Sequence, residues 1–272
     1  VVTVKPLKKH ISPSQIESYT RCGEAYRRRY IEGERIPPGV ALVRGSSLHK
    51  GAEVNFVQKI RSRQDMRPDD IIGVAVHTFE NKVKNEGIWL SPEEQTVGEK
   101  KIIGAGKDAT VRLTRLFATD LAPRVQPKEV EIEHRIELPN SSHDLLGRLD
   151  LVDENDAIDD LKTSAKKACP EDVDKNTQLT FYALTFQNKY KKPPTEIRYS
   201  QLVDTKEPQV NVVKTTRTRA DFEALVNRIN AVIRGVNAGI FTPAMPGSWW
   251  CSPKFCGYWA TCAYVNNGRK TV

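Results

Sequence analysis

Asp150, Asp160 and Lys162 are the residues whose types and spacing speak first to chemistry. Asp150 closes the alternating stretch LGRLD, and Asp160 and Lys162 share one face of IDDLKT, because side chains repeat every two residues along a strand. A turn centred on Asn155 sets Asp150 opposite Asp160, with side chains roughly 4.5–5.5 Å apart. Two carboxylates that close repel each other unless a cation lies between them, and hard oxygen ligands suit Mg²⁺ or Mn²⁺. Lys162 then reaches a phosphate oxygen or a metal-bound water on the same face. This is the set that metal-assisted phosphodiester hydrolysis needs: carboxylates to hold an ion, an ion to polarise phosphate and acidify water, and a cation to offset the developing charge. From Asp144 to Asp160 seven acidic residues stand against one basic residue, Arg148, in a chain of net charge +8. Asp153, Glu154 and Asp156 read as a solvated acidic loop.

The elements that must position these residues follow from pattern. Ser12, Pro13 and Gln15 open a helix over 12–31 with a capping box and proline in the first turn. A second helix starts near Gly45-Ser46-Ser47 and carries His49, Glu53 and Phe56 on one face. The stretches from Pro68 to Asn85 and from Pro92 to about Leu121 are also helical. After Pro127 the period becomes two: Val130 and Ile132 alternate with Glu129, Glu131 and Glu133, which read as the exposed side of an edge strand from which one could reach a metal. Further strands suit Asp144 to Val152, Ala157 to Thr163, Thr195 to Val203 and Gln209 to Lys214, with helices from Lys175 to Tyr190 and from Arg219 to Ala238. The expected architecture is one α/β domain over 1–272: a mostly helical part (1–125), an α/β core with a mixed sheet flanked by helices (126–240) and a cysteine-rich tail (241–272).

Composition bounds the rest. With 39% apolar and 28% charged residues the chain is globular rather than disordered, and its excess of Lys and Arg favours a polyanionic partner. No apolar run approaches the roughly 20 residues that span a bilayer, and VVTVKPLKKH is too polar for a secretory signal, so the expectation is a cytoplasmic protein without a membrane partner. Five cysteines in such a compartment argue against a disulfide framework. Cys251, Cys256 and Cys262 crowd the C-terminus, and with Cys22 they make four thiolates, a count that fits a [4Fe–4S] cluster or a structural zinc. Cys169 stands alone as a loop or core residue.

GRLDLV, IDDLKTS and QLTFY together resemble the PD-(D/E)xK nuclease superfamily, in the branch of the RecB and AddB nuclease domains and the CRISPR-associated RecB-like nucleases. GSSLH is similar to that branch's helix-borne histidine motif, and SPSQIESYTRCGEAYRRRY to its first helix with a cysteine. The resemblance implies a restriction-endonuclease-like fold in which His49, Asp150, Asp160 and the carbonyl of Leu161 ligate Mg²⁺ or Mn²⁺. It makes Lys162 the catalytic lysine, and places Gln178 and Tyr182, one helical turn apart, toward the DNA backbone and that lysine. It also implies a [4Fe–4S] cluster on Cys22, Cys251, Cys256 and Cys262, with zinc the lesser alternative, joining the tail to the first helix. Two features depart from the family's pattern: Gly23 stands where proline is common, and the last cysteines are spaced x₄ then x₅ where many relatives have two residues in the first gap.

The activity implied is a metal-dependent DNA exonuclease acting on single strands or duplex ends, with a recombination or CRISPR-adaptation protein as a possible partner. Alternatives are a DNA-trimming nuclease that works inside a partner complex and a non-catalytic DNA-binding subunit. Trp249, Trp250, Phe255, Tyr258 and Trp259 would shield the cluster, or one or two would stack on bases. Arg27, Arg28 and Arg29 point in successive helical directions; one or two are expected on phosphate and the others in solvent. Lys166, Lys167 and Lys175 are better placed for backbone contacts.

Overall fold

The computed structural model describes residues 9–138 and 141–265. The chain runs β1 (Lys9–Ile11), α1 (Pro13–Arg21), α2 (Gly23–Tyr26), α3 (Val40–Ser62), α4 (Pro68–Glu86), α5 (Pro92–Val97), α6 (Glu99–Leu116), β2 (Pro127–Ile136), β3 (His143–Asp153), β4 (Ile158–Ser164), α7 (Pro170–Asp174), α8 (Thr177–Tyr190), β5 (Ile197–Val203), β6 (Gln209–Thr215) and α9 (Arg219–Asn237). Single π-helical turns follow α2 and α6, at Arg27–Ile31 and Phe117–Leu121. The capping box at Ser12 and Gln15 forms, but the expected helix over 12–31 breaks at Cys22, whose extended backbone separates α1 from α2. The second helix begins at Val40, five residues before Gly45, on a Gly39 N-cap that follows Pro37-Pro38.

The sheet has the order β1-β3-β4-β5-β6, with β2 on the other edge of β3. β1 runs parallel to β3, β2 and β4 antiparallel to it, β5 parallel to β4 and β6 antiparallel to β5. The parallel β4–β5 pair requires a crossover, which α8 supplies. One apolar cluster joins α1, α8 and α9 to the sheet through Ile16, Phe181, Phe186 and Ile229; a second joins α3 and α6 to it through Leu48, Phe56, Leu113, Leu151 and Leu161. The mixed sheet therefore lies between two helical layers, which is the expected class of fold. Among the described residues no helix is long and apolar enough to cross a membrane.

β1 and β4 share one edge of β3. β1 pairs with His143–Leu145 and β4 with Leu151 and Val152, so the intervening stretch of that edge, residues 146–150, has no strand beside it. The sheet opens there, and Asp150 stands where β4 departs.

The acidic turn differs from the expected solvated loop. Asp153 is buried, its Oδ1 accepting hydrogen bonds from the amides of Asn155 (2.8 Å) and Ala157 (2.9 Å) while Oδ2 takes one from Arg198. An aspartate that bonds the backbone beyond it builds a turn. Glu154 is paired with Arg63, and Asp156 with Lys128 and Lys192. This turn fixes the β3–β4 register.

Candidate active site

The pairs Leu151↔Asp159 and Val152↔Ile158 continue, by the same register, to Asp150 opposite Asp160. Strand pairing ends at that point, and the Asp150 carboxylate takes over the ladder: its Oδ2 accepts the Leu161 amide at 3.2 Å. On the other side of β3, Val130↔Leu151 and Ile132↔Leu149 bracket Glu131 opposite Asp150. Three carboxylates thus form one row across β2, β3 and β4.

That row is also where both strands change sides. Residues two apart on a strand normally face the same layer, yet Leu149 packs with the α8 cluster and Leu151 with the α3 cluster; Ile132 and Val130 divide in the same way. Glu131 absorbs the slip with φ +51°, a left-handed conformation that is uncommon outside glycine. The glutamate expected on an exposed edge is consequently turned inward. One ligand atom from each of His49, Glu131 and Asp150 lies within 4.8 Å of the other two. His49 reaches the row from α3, with Nδ1 3.6 Å from Asp150 Oδ2. The sequence allows one of Glu129, Glu131 and Glu133 to reach a metal, but alternation, which sets all three on the exposed side, could not say which.

Electrostatics of the site record too little positive charge for so many buried acids. Burial pushes Asp150 up, and raises Asp160 to about 6, with the neighbouring Asp150 charge adding to the latter. Burial, then repulsion from Asp150, lifts Glu131 to about 7. Burial also holds the His49 ring near 4, helped by the positive charge of Lys162, so the imidazole is neutral and free to ligate. Lys162 donates to Asp160 Oδ1 at 2.6 Å; burial opposes its charge, but Asp160 and Asp150 outweigh burial and its pKa rises. The other oxygen of the fully buried Asp160, Oδ2, has no hydrogen-bond partner among the described residues. An orphaned buried carboxylate oxygen beside neutral imidazole and two more carboxylates is the donor set of a hard divalent cation, so these residues fit such an ion.

Asp159, on the neighbouring position of β4, escaped the sequence reading. It is buried, lifted to about 7 by burial, and lies 3.4 Å from Arg198 Nε. Glu53 bonds Lys50 at 2.9 Å. Gln178 and Tyr182 come together on α8, Gln178 Nε2 donating to Tyr182 Oη at 2.7 Å. Gln178 lines the cleft above the acids, whereas Tyr182 is buried beneath it, and burial together with Asp150 and Asp160 holds its hydroxyl well above the usual range.

Glu131 and Asp150, with His49 and Lys162, line an open cleft of about 950 Å³ walled by α1, α3 and the start of α8, while Asp160 is buried behind them. Lys50, Lys82, Arg148, Lys162, Lys175 and Arg228 line it, against Glu17, Glu53, Glu131 and Asp150. Of the three lysines read as suited to DNA-backbone contacts, Lys175 is in this lining, and Lys166 and Lys167 are exposed outside it.

The four cysteines approach one another at the other end of α1. Burial and the nearby Cys22, Cys251 and Cys262 raise the Cys256 thiol, and burial with Cys22 and Cys262 does the same at Cys251. Among the described residues, no three of these sulfurs lie within 4.8 Å of one another. The tail is tethered independently: Gly23 N–H donates to Thr242 O (2.7 Å), Tyr258 Oη to Glu34 O (2.7 Å) and Arg28 Nη2 to Thr261 Oγ1 (2.6 Å). Arg28, expected on phosphate or in solvent, is buried, with Glu34 as ion partner and Tyr258 beneath its guanidinium. Arg27 is held by Glu24 and Glu32. Tyr258 is buried, but Trp249 and Phe255 are 63% and 51% exposed and so shield little. Cys169 is an exposed helix N-cap.

A sheet that opens at a row of carboxylates, with a lysine two residues beyond the last, is the acid–lysine arrangement that the sequence resemblance implies. A model of the PD-(D/E)XK nuclease superfamily matches residues 10–263, and the chain belongs to that superfamily. Among solved structures it is similar to a candidate exonuclease from Eubacterium rectale, with a TM-score of 0.56 and 12% identity over 93% of this chain and 88% of that one, which speaks to the fold. It also matches the protein SSO0001 at 15% identity over 79% of this chain and 96% of that one, but with a TM-score of 0.37 the match carries no argument. No curated protein matches the chain.

Proposed function

We propose that this protein is a divalent-metal-dependent deoxyribonuclease of the RecB-like kind, acting as an exonuclease on DNA ends. The observation that carries the reading is the row Glu131, Asp150 and Asp160 with His49 and Lys162, of which all but the buried Asp160 line a cleft rich in basic side chains. His49, Glu131 and Asp150 would hold Mg²⁺ or Mn²⁺, with Asp160 and the Leu161 carbonyl completing the shell. Such an ion supplies Lewis acidity to the phosphate and a lowered pKa to water. Lys162 sits where it can offset charge on the phosphate, and Asp160 holds it there. Gln178, at the cleft surface, positions the backbone, and Tyr182 supports Gln178 from below. Cys22, Cys251, Cys256 and Cys262 would hold a [4Fe–4S] cluster, a count of thiolates that also suits zinc. Action within a recombination or CRISPR-adaptation complex is the second reading, favoured by the exposed Trp249, Phe255 and Met245 on the tail.

The test is digestion of DNA labelled separately at each end, single-stranded and duplex, by anaerobically purified protein with Mg²⁺ or Mn²⁺. Stepwise loss from one end is expected. Cleavage that persists in EDTA, or in the Asp150→Ala and Lys162→Ala variants, would overturn the reading; zinc without iron on elemental analysis would overturn the cluster.

A further inference from the structure

We propose that Arg148 is a phosphate clamp released by the metal: in the free protein it is tied to Glu131, and capture of the ion by Glu131 frees it to hold a DNA phosphate in the cleft. The inference rests on the nuclease reading above and assigns Arg148 a task within it.

Arg148 stands two residues before Asp150 on β3 and lines the cleft. The register sets Glu133 directly across from it, yet its Nε lies 2.5 Å from Oε2 of Glu131, the diagonal neighbour. The left-handed backbone of Glu131 makes this choice, because it turns that carboxylate toward Asp150 and His49 and away from the outer face where Glu133 remains exposed. One carboxylate therefore has two claimants. A divalent ion among His49, Glu131 and Asp150 neutralises Glu131 and repels the guanidinium beside it. Arg148 can respond, since its side chain is 60% exposed in an aqueous cleft.

Its neighbours differ in this respect. Lys82 is tied to Glu86, which lies outside the carboxylate row, and Lys50 is tied to Glu53, which is not one of the three residues grouped for the ion. Lys162 shares Asp160 with the row but is largely buried on its strand. Arg148 joins a metal-competent partner to freedom of movement, and its planar fork matches phosphate oxygens two at a time. Linkage makes the effect reciprocal: through Arg148, metal tightens DNA and DNA tightens metal.

Anisotropy of a fluorescent duplex with a single-stranded overhang, titrated in EDTA and in Ca²⁺ over a salt series, tests this, together with Mn²⁺ calorimetry on DNA-free protein. For the wild type, Ca²⁺ should raise DNA affinity roughly tenfold and steepen the salt slope by about one phosphate contact. Arg148→Gln should match the wild type in EDTA, lose most of the Ca²⁺ gain and the added slope, and bind Mn²⁺ roughly threefold tighter, because Glu131 is no longer engaged. Glu131→Gln should reproduce in EDTA the wild type's Ca²⁺-level DNA affinity. Equal weakening of DNA binding by Arg148→Gln with and without Ca²⁺ would mark a permanent contact and overturn the clamp; unchanged Mn²⁺ affinity would do the same. A wild type that cuts DNA but shows no Ca²⁺ gain refutes the clamp alone, whereas one that neither binds nor cuts refutes the nuclease reading with it.

Discussion

The acidic centre and the cysteine tail each gather residues from distant parts of the chain, and they do so by opposite means. Glu131, Asp150 and Asp160 stand on three adjacent strands, so backbone register alone sets them side by side, and His49 is delivered by a 23-residue helix packed on the sheet. The cysteines of the tail sit in irregular backbone around one short 3₁₀ segment, Trp259–Thr261, and the tail is joined to residues 21–34 through individual hydrogen bonds that involve Thr242, Trp250, Tyr258 and Thr261. The first arrangement persists without its ligand, at the cost of carboxylates crowded into apolar surroundings with raised pKa values. The second has few buried apolar residues of its own, so beyond those hydrogen bonds it would depend, on the proposed reading, on the group its thiolates hold. Removing a ligand residue should accordingly silence one region and unmake the other.

The largest expected effect is on cleavage. Asp150→Asn should lower the rate at least a thousandfold while leaving the apo protein's melting temperature unchanged or higher, because it removes one of several mutually repelling buried charges. End-labelled digestion and calorimetric melting check the two halves. A variant that melts well below the wild type would mean that the acidic row stabilises the sheet, and the contrast between the regions would fail.

Cys251→Ser should show the reverse. A centre joining Cys22 to the tail closes nearly the whole chain into a loop, and if it behaves like a covalent bridge its loss costs on the order of 4–5 kcal/mol. The melting temperature and the absorbance of the cluster should fall together, and limited proteolysis should cut beyond α9 first. Cys169→Ser, at an exposed cap outside the group, should change neither. Equal stability of Cys251→Ser and the wild type would remove the staple altogether.

A pH series sharpens the same contrast. Glu131 and Asp159 near 7 and Asp160 near 6 keep protons in the folded protein that the unfolded chain releases near 4, so their contribution to stability is lost as pH rises through 6 to 7. His49, held near 4, acts in the other direction below its ordinary 6.5, one group against three. Metal-free protein should therefore melt several degrees lower at pH 8 than at pH 5.5, and Mn²⁺ should raise the melting temperature more at pH 8, where no proton competes for the row. A stabilisation by Mn²⁺ that is the same at both pH values would argue that the ion binds elsewhere.

How far each region could be read from sequence follows from what builds it. Period-two alternation and a turn at Asn155 were enough to set Asp150 against Asp160, since a strand's register is settled by local pattern. Alternation then misled at Glu131, where a left-handed residue breaks the period it was read from, and at Asp153, whose carboxylate serves the backbone of the turn instead of solvent. Arg28 was illegible for a different reason: its partners Glu34, Tyr258 and Thr261 include residues more than 200 positions away, and no local pattern announces a contact of that range. The four cysteines could be counted as a set, but the distances that separate a cluster from a single ion belong to the folded tail.

The smallest effect tests the tethers apart from the thiolates. Gly23 follows Cys22 directly, and a Cβ placed on it would lie 2.6 Å from Thr242 N and 2.8 Å from Thr242 O, both backbone atoms that cannot rotate away. Its amide meanwhile donates to Thr242 O at 2.7 Å, a bond that proline could not make. Gly23 is thus matched to this chain's own tail, which passes close enough to exclude any side chain. Gly23→Ala should cost roughly 1–3 kcal/mol, as overpacking does, by displacing the 241–242 backbone without removing a ligand. If tethers and thiolates act independently, the losses from Gly23→Ala and Cys251→Ser add in the double variant; if the tethers serve only to bring the cysteines together, the double variant is no less stable than Cys251→Ser alone. Denaturant melts of the four proteins decide between these, and a Gly23→Ala protein as stable as the wild type would show that the tail can shift to make room.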